Sequence, residues 1–241
     1  MENMRSGARR MHTDTILKWT TKSNIEITDS QLKKLTAYQE RVLTVNEYMN
    51  LTTITKSEDF AIKHIIDSLT LLPYMDENNE INNKHILDIG TGAGFPGIVL
   101  GIMRPNLRLT LMDTLRKRVH FLQETIELLE LPQIECIHAN VQEYSMQKKY
   151  HNKYDICTAR AVAKLDKLVM YALPLLKPNG KLLAMKGTNI SQELENAKPA
   201  LIKRKGVIVD VSLVELSPEL THSIVIVERV PTKPKNEKTN I

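Results

Sequence analysis

The sequence predicts an α/β fold: a doubly wound sheet of seven strands, mostly parallel with one antiparallel strand, behind an N-terminal helical extension. Three observations predict it. The hydrophobic period changes at His85 from helical spacing to short β-rich runs. Five such runs then alternate with helical ones, the pattern of a parallel sheet covered on both faces. Two last β-rich runs have no helix between them, so they form a hairpin and one of them runs antiparallel.

The elements follow in order. Thr28 with Gln31 three residues later has the form of a capping box. Leu32, Leu35, Tyr38, Val42, Val45 and Met49 then recur on one helical stripe. A second helix is predicted from Ser57 to Leu72, with Ala61, Ile65, Leu69 and Leu72 inward, and Pro73 with the polar run Asp76 to Lys84 reads as a linker. HILDIG precedes a helix over Gly97–Met103, LRLTLMD one over Arg116–Leu131, and IECIHA one over Val141–Tyr150. YDICTARA precedes Leu165–Leu176, and KLLAMKG precedes Ser191–Ile202. VIVDVSLVEL and HSIVIVERV close the series. The organisation predicted is an extension over 1–83 packed on the core, a cofactor-binding domain over 84–230, and a disordered basic tail over 231–241.

Hydrophobic residues at 42% and charged residues at 25% fit a chain that buries a full core. No apolar stretch approaches the roughly 20 residues of a membrane span, and no signal segment opens the chain, so a cytoplasmic protein with no membrane partner is expected. Cys136 and Cys157 lie in strand-like runs without metal-ligand spacing and read as small buried hydrophobes. The net charge of +5 is distributed in separate basic clusters, including Arg116, Lys117 and Arg118, which suit a polyanion such as RNA.

The chemistry concentrates in the run His85 to Gly97, a buried strand leading through a glycine-rich turn into a helix. In an open α/β sheet this first turn is where nucleotides bind. Gly92, Gly94 and Gly97 match G-x-G-x-x-G, which dehydrogenases share. Three details favour S-adenosylmethionine over NAD. Asp88 stands before the first glycine, where a carboxylate suits an ammonium and repels a pyrophosphate. Asp113 ends the second strand about 20 residues past the loop, where an acid binds ribose hydroxyls. A Pro178-Asn179-Gly180 turn precedes the fifth strand.

NLT at Asn50–Thr52, HIIDS at His64–Ser68, DIGTGAGFPG, DTLRKRVHFL from Asp113, TARAVAKL from Thr158 and MKG at Met185–Gly187 occur in this order. Together they resemble the RsmG family, bacterial 16S ribosomal RNA guanine-N7 methyltransferases also called glucose-inhibited division protein B. The resemblance runs from about residue 15 to 230 and implies a Rossmann-like class I methyltransferase fold. It implies that Gly90 and Phe95 contact the donor, that Asp113, with Thr114 and Leu115 behind it, meets the ribose, and that Val141 and Gln142 flank the adenine. Many relatives carry an acid where Gln142 stands. Arg160 reaches the cofactor site and joins His64 and Lys186 as candidates for positioning guanine. Asn50, Ser68, Lys117 and Arg118 are candidates for RNA contact.

Guanine N7 carries a lone pair and no proton, so no residue is expected as general base and no metal is needed; alignment is the main device. The fourth strand lacks the Asn/Asp-Pro-Pro-aromatic pattern of amino-group methylation. The expected partner is 16S rRNA or the 30S subunit, met by a monomer. From residues alone, a methyltransferase for another rRNA base or acceptor, an NAD-dependent oxidoreductase and a non-enzymatic RNA-binding module remain open.

Overall fold

In a computed structural model the described residues are 13–75, 83–217 and 220–231. The expectations for the first ten residues, for the body of the 76–84 linker and for the tail lie outside them.

Residues 13–22 are helical (α1). α2 spans Asp29–Met49, and its start is the predicted capping box: the Thr28 hydroxyl accepts from Gln31 N while the Gln31 side chain accepts from Thr28 N. Leu35, Tyr38, Val42 and Val45 are buried along its inner stripe. The single helix predicted over Ser57–Leu72 is broken. α3 (Ser57–Phe60) passes into a π-helical stretch, Ala61–Ile66, then α4 (Asp67–Leu69) and α5 (Leu72–Met75). Pro73 is the second residue of α5, a position where its missing N–H costs nothing, so it starts this helix and does not end one.

β1 (His85–Ile89), α6 (Gly97–Met103), β2 (Arg108–Asp113), α7 (Arg116–Leu128), β3 (Ile134–His138) and α8 (Val141–Met146) follow. β4 (Tyr154–Arg160), α9 (Leu165–Leu175), β5 (Leu176–Lys186), α10 (Ser191–Arg204), β6 (Gly206–Ser217) and β7 (Leu220–Arg229) complete the chain. The sheet order is β3-β2-β1-β4-β5-β7-β6. β1 pairs in parallel with β2 and β4, and only β7 runs antiparallel, between β5 and β6. The seven-stranded sheet with one reversed strand is the architecture the sequence predicts. The Pro178-Asn179-Gly180 turn sits inside β5 as a bulge, where the register jumps from Tyr154↔Leu176 to Ile156↔Lys181.

Two apolar layers cover the sheet. One joins α2–α7, including Leu35, Phe60, Leu69, Ile98 and Leu122; the other joins α8, α9 and α10 through Tyr144, Leu168, Leu173 and Leu201. Cys157 is fully buried, whereas Cys136 is half-buried because β3 is an edge strand. Because α2 shares the first layer, Leu35→Ala should lower unfolding free energy by about 2–5 kcal/mol in a single denaturant transition. A loss below about 1 kcal/mol would show that α2 is not part of the main core.

Candidate active site

Parallel strands β1, β2 and β4 end together at Ile89, Asp113 and Arg160, and the crevice opens above those ends. The turn after β1 holds Gly90, Gly92 and Gly94 at φ of 64°, 62° and 108°, conformations side chains disfavour. A Cβ on Gly92 would meet nothing within 4 Å, so this backbone faces open space. Gly94 differs: a Cβ there would strike Ile98 and the Tyr38 hydroxyl at 2.7 Å. Packing therefore requires a glycine at position 94.

The Asp88 carboxylate is fully buried. Oδ2 accepts from the Thr91 hydroxyl (2.5 Å) and Gly97 N (3.0 Å), and Oδ1 from the Thr158 hydroxyl on β4 (2.8 Å). These bonds close the turn on itself and tie it to the next strand. Burial pushes the Asp88 carboxyl up to about 6, against the lowering effect of its three donors and of Arg160.

Asp113 accepts from Gly92 N and Leu115 N, both at 2.9 Å, so it links the glycine turn to the end of β2. Arg118 is turned onto it, 3.6 Å from Oδ2, whereas Lys117 is exposed. Thr114 and Leu115 are exposed, and the Thr114 carbonyl lies 2.9 Å from His138 Nε2. At the end of β3, Asn140 caps α8 by accepting from Gln142 N, which places half-buried Val141 and exposed Gln142 on the same rim.

Phe95 is buried. It packs against Tyr38 (5.2 Å), edge-on against Phe60 (5.6 Å) and stacked on His64 (4.6 Å), with the Arg160 guanidinium 5.1 Å from its centre. Tyr38 also donates to the Ala93 carbonyl at 2.8 Å, so the helical extension grips the glycine turn.

Arg160 gathers the second half of the site. Nη1 donates to Asp67 Oδ2 (2.7 Å) and to the Lys63 carbonyl (3.1 Å), which the wider π-helical turn presents, and Nη2 meets His64 Nδ1 at 3.3 Å. Burial and the nearby Arg160 charge lower the His64 pKa to about 3, so the ring is neutral; Nδ1 accepts from Arg160 and Nε2–H donates to the Thr52 hydroxyl at 2.8 Å. Ser68 does not join this group: it is fully buried and donates to the His64 carbonyl, which corrects its reading as an RNA contact. Asn50 is the exposed left-handed cap of α2. Lys186 is mostly buried, donating to Glu193 Oε1 and the Ala163 carbonyl, both at 2.5 Å.

Asp67, Arg160, Ala161, Lys186 and His222 line a cavity of about 380 Å³, with Ala161 held at φ 56°. His222 has no counterpart in the sequence reading, because a histidine in an alternating strand carries no signal. Thr91 and Thr158 were equally silent. Among the described residues no group of three or more His, Cys, Asp or Glu is placed to hold a metal, and no helix is long and apolar enough to cross a membrane.

Solved structures share this fold. TrmN from Thermus thermophilus aligns at a TM-score of 0.52 with 19% identity, over 68% of this chain and 48% of that one. M. jannaschii TYW2 in complex with AdoMet aligns at 0.51 with 18% identity, over 66% and 76%. The shared architecture is a Rossmann-like doubly wound fold with its crevice above the strand ends. Residues 31–221 match the family model described as GidB, rRNA small subunit methyltransferase G. Ribosomal RNA small subunit methyltransferase G of Desulfitobacterium hafniense (strain Y51) is 39% identical over 88% of this chain and 86% of its own length. The protein of that name from Clostridium botulinum (strain Alaska E43 / Type E3) is 37% identical over 92% of each. The chain belongs to the rRNA small subunit methyltransferase G family.

Two predictions follow from the buried polar groups. Thr158→Val keeps the shape and removes one donor from a buried carboxylate, so unfolding free energy should fall by about 1.5–3 kcal/mol in urea titration. The pH dependence tests the two opposed shifts. His64, depressed from 6.5 to about 3, binds fewer protons folded than unfolded, so its contribution is lost as pH falls below 6.5. Asp88, raised from 3.8 to about 6, binds more protons folded, so its contribution grows as pH falls through 6. His85 and His222, also lowered from 6.5, act in the same sense as His64, so stability should fall from pH 7.5 to 5 with Asp88 opposing the fall. Asp88→Asn removes that opposition, and the variant should lose roughly 1.4 kcal/mol more than wild type over the same range. Parallel curves for the two proteins would contradict the assignment.

Proposed function

We propose that this protein transfers a methyl group from S-adenosylmethionine to N7 of a guanine in 16S ribosomal RNA, in the cytoplasm, on the free RNA or the 30S subunit. The observation that carries the reading is an open glycine turn and an acid-ended β2 at the same end of the parallel strands as a polar cavity at the ends of β4 and β5. One part suits a nucleoside donor and the other an acceptor base.

The residues fit the donor. Gly92 leaves open space where any side chain would stand, whereas Gly90 is half-buried and a Cβ there would meet Val162 Cγ2 at 2.8 Å. Asp113 accepts two backbone N–H groups and retains lone pairs for ribose hydroxyls. Val141 and Gln142 on the β3 rim would flank the adenine, Gln142 through a neutral amide. When bound, this donor supplies an electrophilic methyl group on a sulfonium.

Guanine N7 attacks through an exposed lone pair and releases no proton, so the chain's task is to hold and orient. Arg160 uses three of its five N–H donors on Asp67, Lys63 and His64, and the remaining two are free to meet guanine O6 beside N7. Lys186 borders the same cavity from β5. Stacking on Phe95 and the bond to Asp67 fix the guanidinium plane, which makes the site a positioning device. The base must be unpaired or extruded to enter. Exposed Lys117, and Arg118 beside it on α7, are the candidates for contact with RNA phosphates.

Cells lacking their own enzyme should regain one 7-methylguanine in small-subunit rRNA when this protein is expressed, mapped by reverse-transcription stops after chemical cleavage. Asp113→Ala and Gly92→Asp should each abolish it. Restoration of a different modified base, or of none by a folded protein, contradicts the proposal.

A further inference from the structure

We propose that the end of the sheet opposite the crevice is a second RNA-binding surface, a basic strip that takes the phosphate backbone of an RNA segment remote from the target base. The inference rests on the reading above that RNA is the substrate, and it adds a second contact to that substrate.

The topology gathers the strip from segments far apart in sequence. α8, α9 and α10 each lead back from the crevice, so the connections into β4, β5 and β6 meet at the far end of the strands, where reversed β7 also ends. Hydrogen bonds join them. Asn152 N donates to the Pro174 carbonyl (3.1 Å) and Lys153 N to the Leu175 carbonyl (2.9 Å), which ties the first connection to the second. Arg229 at the end of β7 donates to Asn152 Oδ1 (2.5 Å) and to the Leu176 carbonyl. Val230 N donates to the Lys205 carbonyl (2.8 Å), which brings in the third. The surface is continuous.

Cations dominate it. Lys148, Lys149, Lys203 and Lys205 are exposed, and none of the four is ion-paired among the described residues. Only two lysines of the strip are near a carboxylate with a measured contact: Lys177 Nζ is 2.8 Å from Asp155 Oδ2, and Lys153 Nζ is 4.0 Å from Glu135 Oε1. Elsewhere among the described residues carboxylates and cations nearly balance, so the excess positive charge resides at this end. Helix carboxyl ends favour a cation in the last turn, which accounts for Lys203 and Arg204 on α10. It does not account for the rest. Lys148 and Lys149 lie in a separate turn past α8, and Lys205 holds φ 56° at the cap of α10, where glycine is the usual residue. The chain keeps a lysine there at a conformational cost.

Like charges held together repel, and a row of phosphates supplies the missing counter-charge while releasing its own condensed cations. Phosphate contacts fix register and orientation without reading sequence, so exposed lysines on a convex end suffice where a base would need a pocket. β4 has seven residues, at about 3.3 Å each, so crevice and strip lie roughly 20 Å apart. A base in the crevice and a backbone on the strip therefore belong to different parts of a folded RNA. A short RNA that carries only the target base reaches one of the two.

The test uses the full chain with Lys148→Gln, Lys149→Gln and Lys205→Gly combined. Glycine suits the left-handed cap, so this variant should unfold at the same or higher urea concentration, and it should bind S-adenosylmethionine within twofold of wild type by calorimetry. RNA binding is measured by fluorescence anisotropy without donor, on full-length small-subunit rRNA and on a short stem-loop around the guanine that wild type methylates. On the long RNA, affinity should fall about tenfold at about 0.15 M salt, and the slope of log K against log salt should flatten by about two to three. On the stem-loop, affinity should stay within twofold and the slope unchanged. Unchanged affinity and slope on the long RNA would overturn this assignment alone. An equal loss on both RNAs would overturn it as well, since that is the mark of a general field and not of a second contact. Intact RNA binding with weakened binding to phosphatidylserine vesicles would give the strip to lipid and overturn it too. Wild type that methylates neither RNA would overturn the parent reading and this one with it.

Discussion

A single buried carboxylate determines the shape of the cofactor turn. Asp88 ends up with no exposure to water, a position that destabilises an isolated charge by several kcal/mol. Three donors compensate, and all three belong to parts of the site: Thr91 and Gly97 at the two ends of the glycine turn, and Thr158 on the neighbouring strand. Satisfying the carboxylate therefore forces the turn to close, starts α6 at Gly97 and fixes β4 beside β1. The glycines permit the backbone path, and Asp88 selects it. Asp113 then completes the turn from the other side through Gly92 N.

The helical extension is part of the same construction. Tyr38 from α2 holds the Ala93 carbonyl, and Phe60 and His64 enclose Phe95. His64 and Asp67, on the π-helical stretch and the turn after it, then take hold of Arg160 from β4. The glycine turn and Arg160 are thus linked through one aromatic ring. A sheet without the extension would keep its strand ends but lose the restraint on Arg160, whose long side chain otherwise samples many rotamers. This explains why the family motifs are scattered from residue 50 to 187 and why no short segment alone describes the site.

Much of the fold was legible because it rests on local signals: the capping box at Thr28, the apolar stripe of α2 and the period-two runs of the sheet. α6 occupies Gly97–Met103, the predicted range. Errors arose where tertiary contacts decide. The π-helical stretch at Ala61–Ile66 carries no sequence pattern, since what it offers is a carbonyl to an arginine 97 positions away. α7 stops at Leu128, not Leu131, because Glu130 turns left-handed. In the site, position along the chain does not give the direction of a side chain. Asp88, Phe95 and Ser68 lie where expected along the chain and face inward, and strand or helix parity cannot distinguish a pocket from a core. His222 was invisible because its neighbours come from chain segments some 60 and 150 residues away, at Arg160 and Asp67.

The charge balance of the acceptor cavity follows from the proposed chemistry. Methylation at N7 leaves a positive charge on the purine, so the base becomes a cation where it had been neutral. Two bare cations in the pocket would oppose that change, and at low effective dielectric the opposition is large. Each is instead matched to a carboxylate: Arg160 to Asp67 at 2.7 Å and Lys186 to Glu193 at 2.5 Å. Each pair leaves directed N–H donors at the cavity with little net charge behind them, and the two histidines are kept neutral by burial. Under the proposed reaction such a site would recognise a guanine through its hydrogen-bonding edge and tolerate the cation that forms, a combination a cluster of unpaired lysines and arginines would not provide.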